Sequence, residues 1–197
     1  MLDIFFEPII LTFFLLKNGY TNHFIVNEYG ILNGYVMPLL LLPSFFTQAI
    51  SQALIPIVSN SYSNNNFKYT KSKIKQGIFF SLLIGIGATS IFLLVPHIPL
   101  KLIYNTNQGL NYIKFLAPVC LLHYIQSPIS SSLQAMGKAK EAMYGTLIGM
   151  IIRTTILIVG CNLKIGLWGL VIATSCNIIF VTLFDIYKVI KFLKIKK

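Results

Sequence analysis

Arg153 stands midway through the apolar run GMIIRTTIL. A cation at the centre of a membrane-type helix costs about 2.5–3.5 kcal/mol on insertion scales, so such a residue requires an anionic partner. Two chemistries meet that need. The guanidinium can face a polar cavity and attract the phosphate of a ligand, or it can pair with a carboxylate elsewhere in the chain. Glu7, beside Pro8, is a candidate for that carboxylate, for a proton or cation site, or for a charge near water at a helix end. Asp185, three residues before Lys188, reads as an interfacial charge.

Uncharged polar residues form stripes. His123, Ser127, Ser130 and Gln134 are spaced four, three and four apart and share one helical face, with Gln126 beside them. Gln48 and Gln52 form an i, i+4 pair flanked by Thr47 and Ser51, and Thr174 and Asn177 repeat the pattern at i, i+3. In lipid these faces would leave donors and acceptors unpaired, so they must point inward. Such a face either lines a wet cavity or glues neighbouring helices, and three of them favour a central hydrated cavity; His123 taken alone reads as a helix–helix hydrogen bond. Arg153, Glu7, Gln48, Gln52, His123, Gln126, Gln134 and Asn177 are the expected cavity residues.

Enzyme chemistry has no foothold. The chain lacks a P-loop glycine pattern, an HExxH, a GxSxG elbow and a paired-acid motif. Its five acids leave no carboxylate pair for acid–base work or for holding magnesium. Cys120, Cys161 and Cys176 show no ligand spacing and read as small buried apolar side chains. No catalytic residue, metal or cofactor is expected.

Hydropathy sets the elements that carry these side chains. The 197 residues are 55% hydrophobic, only 11% charged, and have a mean hydropathy of +0.74. Soluble domains carry about 25% charged residues, so lipid must serve as the solvent for the excess apolar surface. The expected fold is an all-α polytopic membrane protein with six transmembrane helices at about 4–16, 30–59, 77–96, 112–136, 142–160 and 165–187. The second is long and holds Pro38, Pro43 and Pro56. Residues 60–76 are expected as a basic cytoplasmic linker, either solvated or an amphipathic helix on anionic headgroups, and 188–197 as a basic tail. The connector 97–111, with its NTNQG turn signal, reads as a short interfacial helix. Asp3 and Glu7 at the start argue against a secretory signal.

The net charge of +11 does not point to nucleic acid, because the lysines fall in gaps between apolar runs. Lys68, Lys71, Lys73, Lys75, Lys138, Lys140, Lys188, Lys191, Lys194, Lys196 and Lys197 lie in alternate gaps and the tail. The other gaps hold only Lys17, Lys101, Lys114 and Lys164. By the positive-inside rule both termini and the basic loops belong in the cytoplasm. Gly145 and Gly149, and Gly169 with Ala173, mark close helix packing. Pro8, Pro38, Pro43, Pro56, Pro118 and Pro128 remove helix hydrogen bonds inside apolar runs, a feature recurrent in transporters.

Motif order adds a family resemblance. LPSFFTQAISQALIPIVSNSYSNNN has a proline-bearing helix ending in a turn before a polar loop; KLIYN, YIKFLAPVCLL and SSSLQAMGK follow in series. Together they resemble the stage V sporulation protein B-like polysaccharide exporters of the multidrug/oligosaccharidyl-lipid/polysaccharide flippase superfamily. The resemblance covers nearly the whole chain and concerns the C-terminal half of the family. Residues 134–138 (QAMGK) and the turn at 54–59 are its most specific parts.

The resemblance implies one lobe (the C-lobe) of a two-lobed flippase, moving lipid-linked oligosaccharide or polysaccharide precursors across the cytoplasmic membrane. It implies Arg153 as a pyrophosphate partner, membrane lipid and a lipid-linked glycan as ligands, and an N-terminal lobe on a separate chain or a second copy as partner. Other readings stay open: a cation-coupled multidrug exporter of the same superfamily, disfavoured by the scarcity of acids, and an inactive truncated remnant or scaffold.

Overall fold

The computed structural model describes residues 2–195, with side chains from 7 to 193. Over these residues the chain is all helical, with no strand. The helices are α1 (Leu2–Lys17), α2 (Asn22–Gly30), α3 (Met37–Leu41), α4 (Ser44–Ser63), α5 (Phe67–Leu94), α6 (His97–Tyr104), α7 (Leu110–Ala135), α8 (Ala139–Asn162) and α9 (Trp168–Ile195). A π-helical segment, Ile31–Val36, joins α2 to α3.

Four stretches are long and apolar enough to cross a membrane: Asn22–Leu41, Phe67–Leu94, Ala139–Asn162 and Trp168–Leu193. α7 is a continuous helix of 26 residues and α4 one of 20, but the polar stripes interrupt their apolar character. α1 is described over 16 residues. Phe45, Phe79, Ile151 and Leu183 are more than half exposed on the outside of the bundle. In water such an apolar surface would drive aggregation; in lipid it is matched by the solvent. These helices have the length and the apolar outer surface of membrane spans.

The expected single span 30–59 is interrupted, for a local reason. Pro43 has no N–H to continue the helix. Leu42 N–H turns back to Leu39 O at 3.3 Å, and Phe45 and Phe46 bond Leu42 O and Pro43 O at 3.2 Å each, all three-residue steps. The Ser44 hydroxyl donates to the Leu41 carbonyl. Leu42 and Pro43 both keep right-handed helical dihedrals, so the break is a tightened kink rather than a loop. The expected linker 60–76 is likewise mostly helix. Residues 60–63 finish α4 and 67–76 open α5, which begins at the cap Asn66, whose side chain accepts from Tyr69 N–H at 3.2 Å. The connector 97–111 contains α6, as its sequence suggested.

α7 is the central post. Two apolar cores pack along it, one near its start (Leu11, Leu32, Leu40, Leu100, Ile113, Leu116) and one near its end (Leu54, Val58, Ile74, Ile129, Leu133, Val189). Tyr124, fully buried on α7, donates to Leu40 O at 2.6 Å and so satisfies a carbonyl at the Pro43 break. Gly85 on α5 makes room for that ring, since an added Cβ would lie 3.0 Å from Tyr124.

α8 and α9 meet along glycines. A Cβ on Gly149 would sit 2.5 Å from Val181, and one on Gly160 2.8 Å from the backbone of Gly169. The small residues that marked close packing in the sequence therefore do set this contact.

Candidate functional site

α4 and α7 lie side by side with their polar stripes facing one open groove of about 330 Å³. Ser44, Gln48, Ser51 and Gln52 line it from α4, and His123, Gln126, Ser127, Ser130, Ser131 and Gln134 from α7. Five of the eight expected cavity residues, Gln48, Gln52, His123, Gln126 and Gln134, thus come together. The wall is tied across by one hydrogen bond, Ser51 Oγ to Ser127 Oγ at 2.8 Å. His123 and Gln126 sit three residues apart on α7 and both line the groove.

The hydroxyls satisfy themselves locally. Ser51 bonds Thr47 O at 2.7 Å, and Ser131 and Ser132 bond Pro128 O at 3.1 and 2.6 Å. Because those groups are paired within their own helices, the glutamine amides, with Gln48, Gln52 and Gln134 all exposed, are left to meet whatever enters the groove. The lining carries no formal charge apart from any proton on His123, so it offers amide and hydroxyl hydrogen bonds rather than a field. Such a surface replaces the water lost by hydroxyl-rich or phosphate-bearing groups.

The other three expected residues lie elsewhere. Arg153 on α8 pairs with Glu7 on α1, Nη2 to Oε2 at 2.5 Å, with the carboxylate side chain 10% exposed and the guanidinium 26%. Neither lines the groove. Asn177 on α9 sits against Gly149 of α8. Arg153 Nε is buried without a hydrogen-bond partner, so the guanidinium keeps one donor in reserve.

Asp185 corrects an expectation. It is not an interfacial partner of Lys188: it is 1% exposed, packed against Gly145 of α8, and its Oδ1 is buried without a hydrogen-bond partner. Lys188 instead reaches Glu141 at the start of α8, at 2.6 Å, and lies over the Phe184 ring at 5.1 Å. Three-residue spacing along a helix allowed Asp185 and Lys188 to pair, but the rotation of α9 turns the aspartate into the bundle. Nothing in the local sequence signals that rotation.

A second polar hollow, of about 420 Å³, went unread in the sequence. It lies at the start of α7 and is lined by Glu28, Asn107, Gly109, Leu110, Asn111, Tyr112 and Trp168. Tyr112 Oη donates to Glu28 Oε2 at 2.6 Å. The ring of Trp168 is wedged between Tyr112 and Phe115, with centroids 5.1 and 5.5 Å away. The one usable signal was an acid, Glu28, outside every polar stripe.

Comparison with known proteins places this architecture. Residues 33–159 match the family model described as MatE. The chain belongs to the MatE family. Stage V sporulation protein B of Bacillus subtilis (strain 168) is 32% identical to this MatE chain over 193 residues, covering 97% of the chain and 37% of that protein. Sporulation protein YkvU of the same organism is 24% identical over 190 residues, covering 96% and 43%. Its Lipid II flippase MurJ is 26% identical over 129 residues, covering 63% and 24%. The chain spans about two fifths of the length of the first two relatives. No solved structure matches.

Proposed function

We propose that this chain is one lobe of a MatE-family transporter that flips a lipid-linked oligosaccharide or polysaccharide precursor across the cytoplasmic membrane. Six spans cross the bilayer in this reading: α1, the kinked run from α2 through α4, α5, α7, α8 and α9. The basic loops after α4 and α7 and both termini lie on the cytoplasmic side, following the lysine distribution. A second lobe, in the same protein or a partner, faces the open side of the groove.

The observation that carries the reading is the groove between α4 and α7. In a bundle otherwise clothed in apolar side chains, it presents an uncharged amide-and-hydroxyl wall on two neighbouring helices. A sugar or phosphate head group crossing the bilayer needs its hydration replaced step by step while its lipid tail stays in the membrane. Amides and hydroxyls do this without trapping the cargo as a full charge would. The names of two relatives, a flippase and a sporulation protein, agree with envelope-directed transport. Arg153 lies off the groove, paired with Glu7, and is not part of the cargo wall in this reading.

Complementation of a flippase-deficient bacterium tests the proposal, using the intact chain co-expressed with any adjacent N-lobe gene. Replacing Gln48 and Gln52 together by leucine should abolish rescue while the protein still accumulates in the membrane. Rescue at the level of the unaltered protein would overturn the groove as the cargo path.

A further inference from the structure

We propose that the hollow at the start of α7 is a saccharide-binding subsite, taking the neutral sugar portion of a glycan rather than its phosphate. The inference rests on the transport reading for the source of the sugar, but its chemistry stands on the hollow itself.

A pyranose ring has a face of C–H groups and an equatorial rim of hydroxyls. The first packs on an aromatic ring and the second needs both donors and acceptors. The hollow supplies that combination. Trp168 gives an aromatic wall, held in orientation by Tyr112 and Phe115. Asn107 and Asn111, both exposed, offer amide donors and acceptors, and Glu28 offers a carboxylate acceptor fixed by the Tyr112 hydroxyl.

The charge decides against phosphate. Glu28 is the charged residue of the lining, and a carboxylate repels an anion while accepting strongly from a hydroxyl. An organic cation is the other candidate for an acid beside aromatics. The lining here sets two amides beside a carboxylate already engaged by a phenol, which suits hydroxyls better than a bare ammonium.

The hollow is also preformed. Gly109 adopts φ +84, and a Cβ there would stand 2.6 Å from Val36 and 2.9 Å from Ile31. The floor of the hollow is thereby seated directly on the π-helical segment, and its backbone cannot drift without unpacking that contact.

The position gives the site a use. The hollow and the groove are at opposite ends of α7, a helix about 39 Å long at 1.5 Å per residue. The groove lies toward the end followed by Lys138 and Lys140. A sugar held at the far end would be a glycan already delivered, or one kept from returning.

The chain contains a single tryptophan, so its emission reports on this hollow alone. The full chain in lipid vesicles is titrated with chitobiose, a neutral disaccharide, and separately with choline and inorganic pyrophosphate. A saturable change in Trp168 emission with chitobiose is expected, weakened about tenfold or more in both Glu28→Gln and Asn111→Ala. Asn111 is exposed, so its loss leaves the fold intact and keeps the comparison valid if Glu28→Gln disturbs packing. No saturable response to chitobiose up to its solubility limit overturns the proposal. So does an equal response in both variants, or a response to choline or pyrophosphate in place of chitobiose. No transport is measured, so a failed complementation assay and a failed titration refute different claims.

Discussion

The α4–α7 groove and the α8–α9 seam are both places where two helices run together, yet they are built on opposite rules. Along the seam the helices touch backbone to backbone at Gly160 and Gly169, and Gly145 and Gly149 receive Phe184, Asp185, Val181 and Asn177. Two ion pairs flank it, Lys188 with Glu141 and Arg153 with Glu7, while Asp185 lies within it with its Oδ1 unpartnered. Along the groove the polar faces of the two helices leave open space, bridged by the Ser51–Ser127 pair, while Leu54 and Val58 pack against Ile129 and Leu133 beside it. Without a hydrophobic force between helices in lipid, close packing and paired polar groups supply cohesion. The seam uses small residues for that purpose along its length, whereas the groove face keeps its glutamine amides exposed. The seam and the Pro43 kink hold the bundle together, and the groove is the surface that the proposed function assigns to cargo.

That division can be broken by measurement. The largest effect belongs to Arg153→Ala, which takes the guanidinium away from Glu7. Breaking a buried pair costs about 3–5 kcal/mol, and the quarter exposure of Arg153 puts this one near the lower figure, about 3 kcal/mol. Thermal unfolding in detergent should also find the Arg153→Ala/Glu7→Gln double variant more stable than Arg153→Ala alone. Equal stability would mean that the pair is not coupled.

Gly160→Ala comes next. Its methyl meets the Gly169 backbone, which cannot rotate away, and overpacking of this kind costs about 1–3 kcal/mol. An unchanged melting temperature would show that the seam is looser than drawn.

Tyr124→Phe removes the donor to Leu40 O and leaves a buried carbonyl unpaired, for a loss of about 1–2 kcal/mol. Gln52→Ala, on the exposed wall of the groove, should change stability by no more than about 0.5 kcal/mol. It should nonetheless lower transport, which complementation growth rates would register. A groove substitution that destabilises as much as a seam substitution would erase the distinction.

Much of this was legible in the chain. The apolar density predicted helices in lipid, and the 3.6-residue spacing of His123, Ser127, Ser130 and Gln134 predicted one shared face. That face, with Gln48 and Gln52, lines the groove. The third stripe was misplaced. Asn177 lies in the seam because a small polar residue beside Gly149 serves close packing as well as it serves a wet wall. Pro38, Pro43 and Pro56 all predict bending within 30–59; the structure places the tightened kink at Pro43, where three-residue hydrogen bonds replace the missing N–H bond.

Periodicity states which residues of one helix look the same way, since that is fixed by the geometry of its own backbone. By itself the sequence thus determined the solvent, the helices and the polar faces. It could not state how far each helix is rotated or slid against its neighbours. That rotation brings Arg153 to Glu7 across 146 positions, turns Lys188 to Glu141, and buries Asp185 against Gly145. It also gathers Glu28, Tyr112 and Trp168 around one hollow. Those choices come from the fit of side chains between helices, a property of the assembled bundle that no single segment contains.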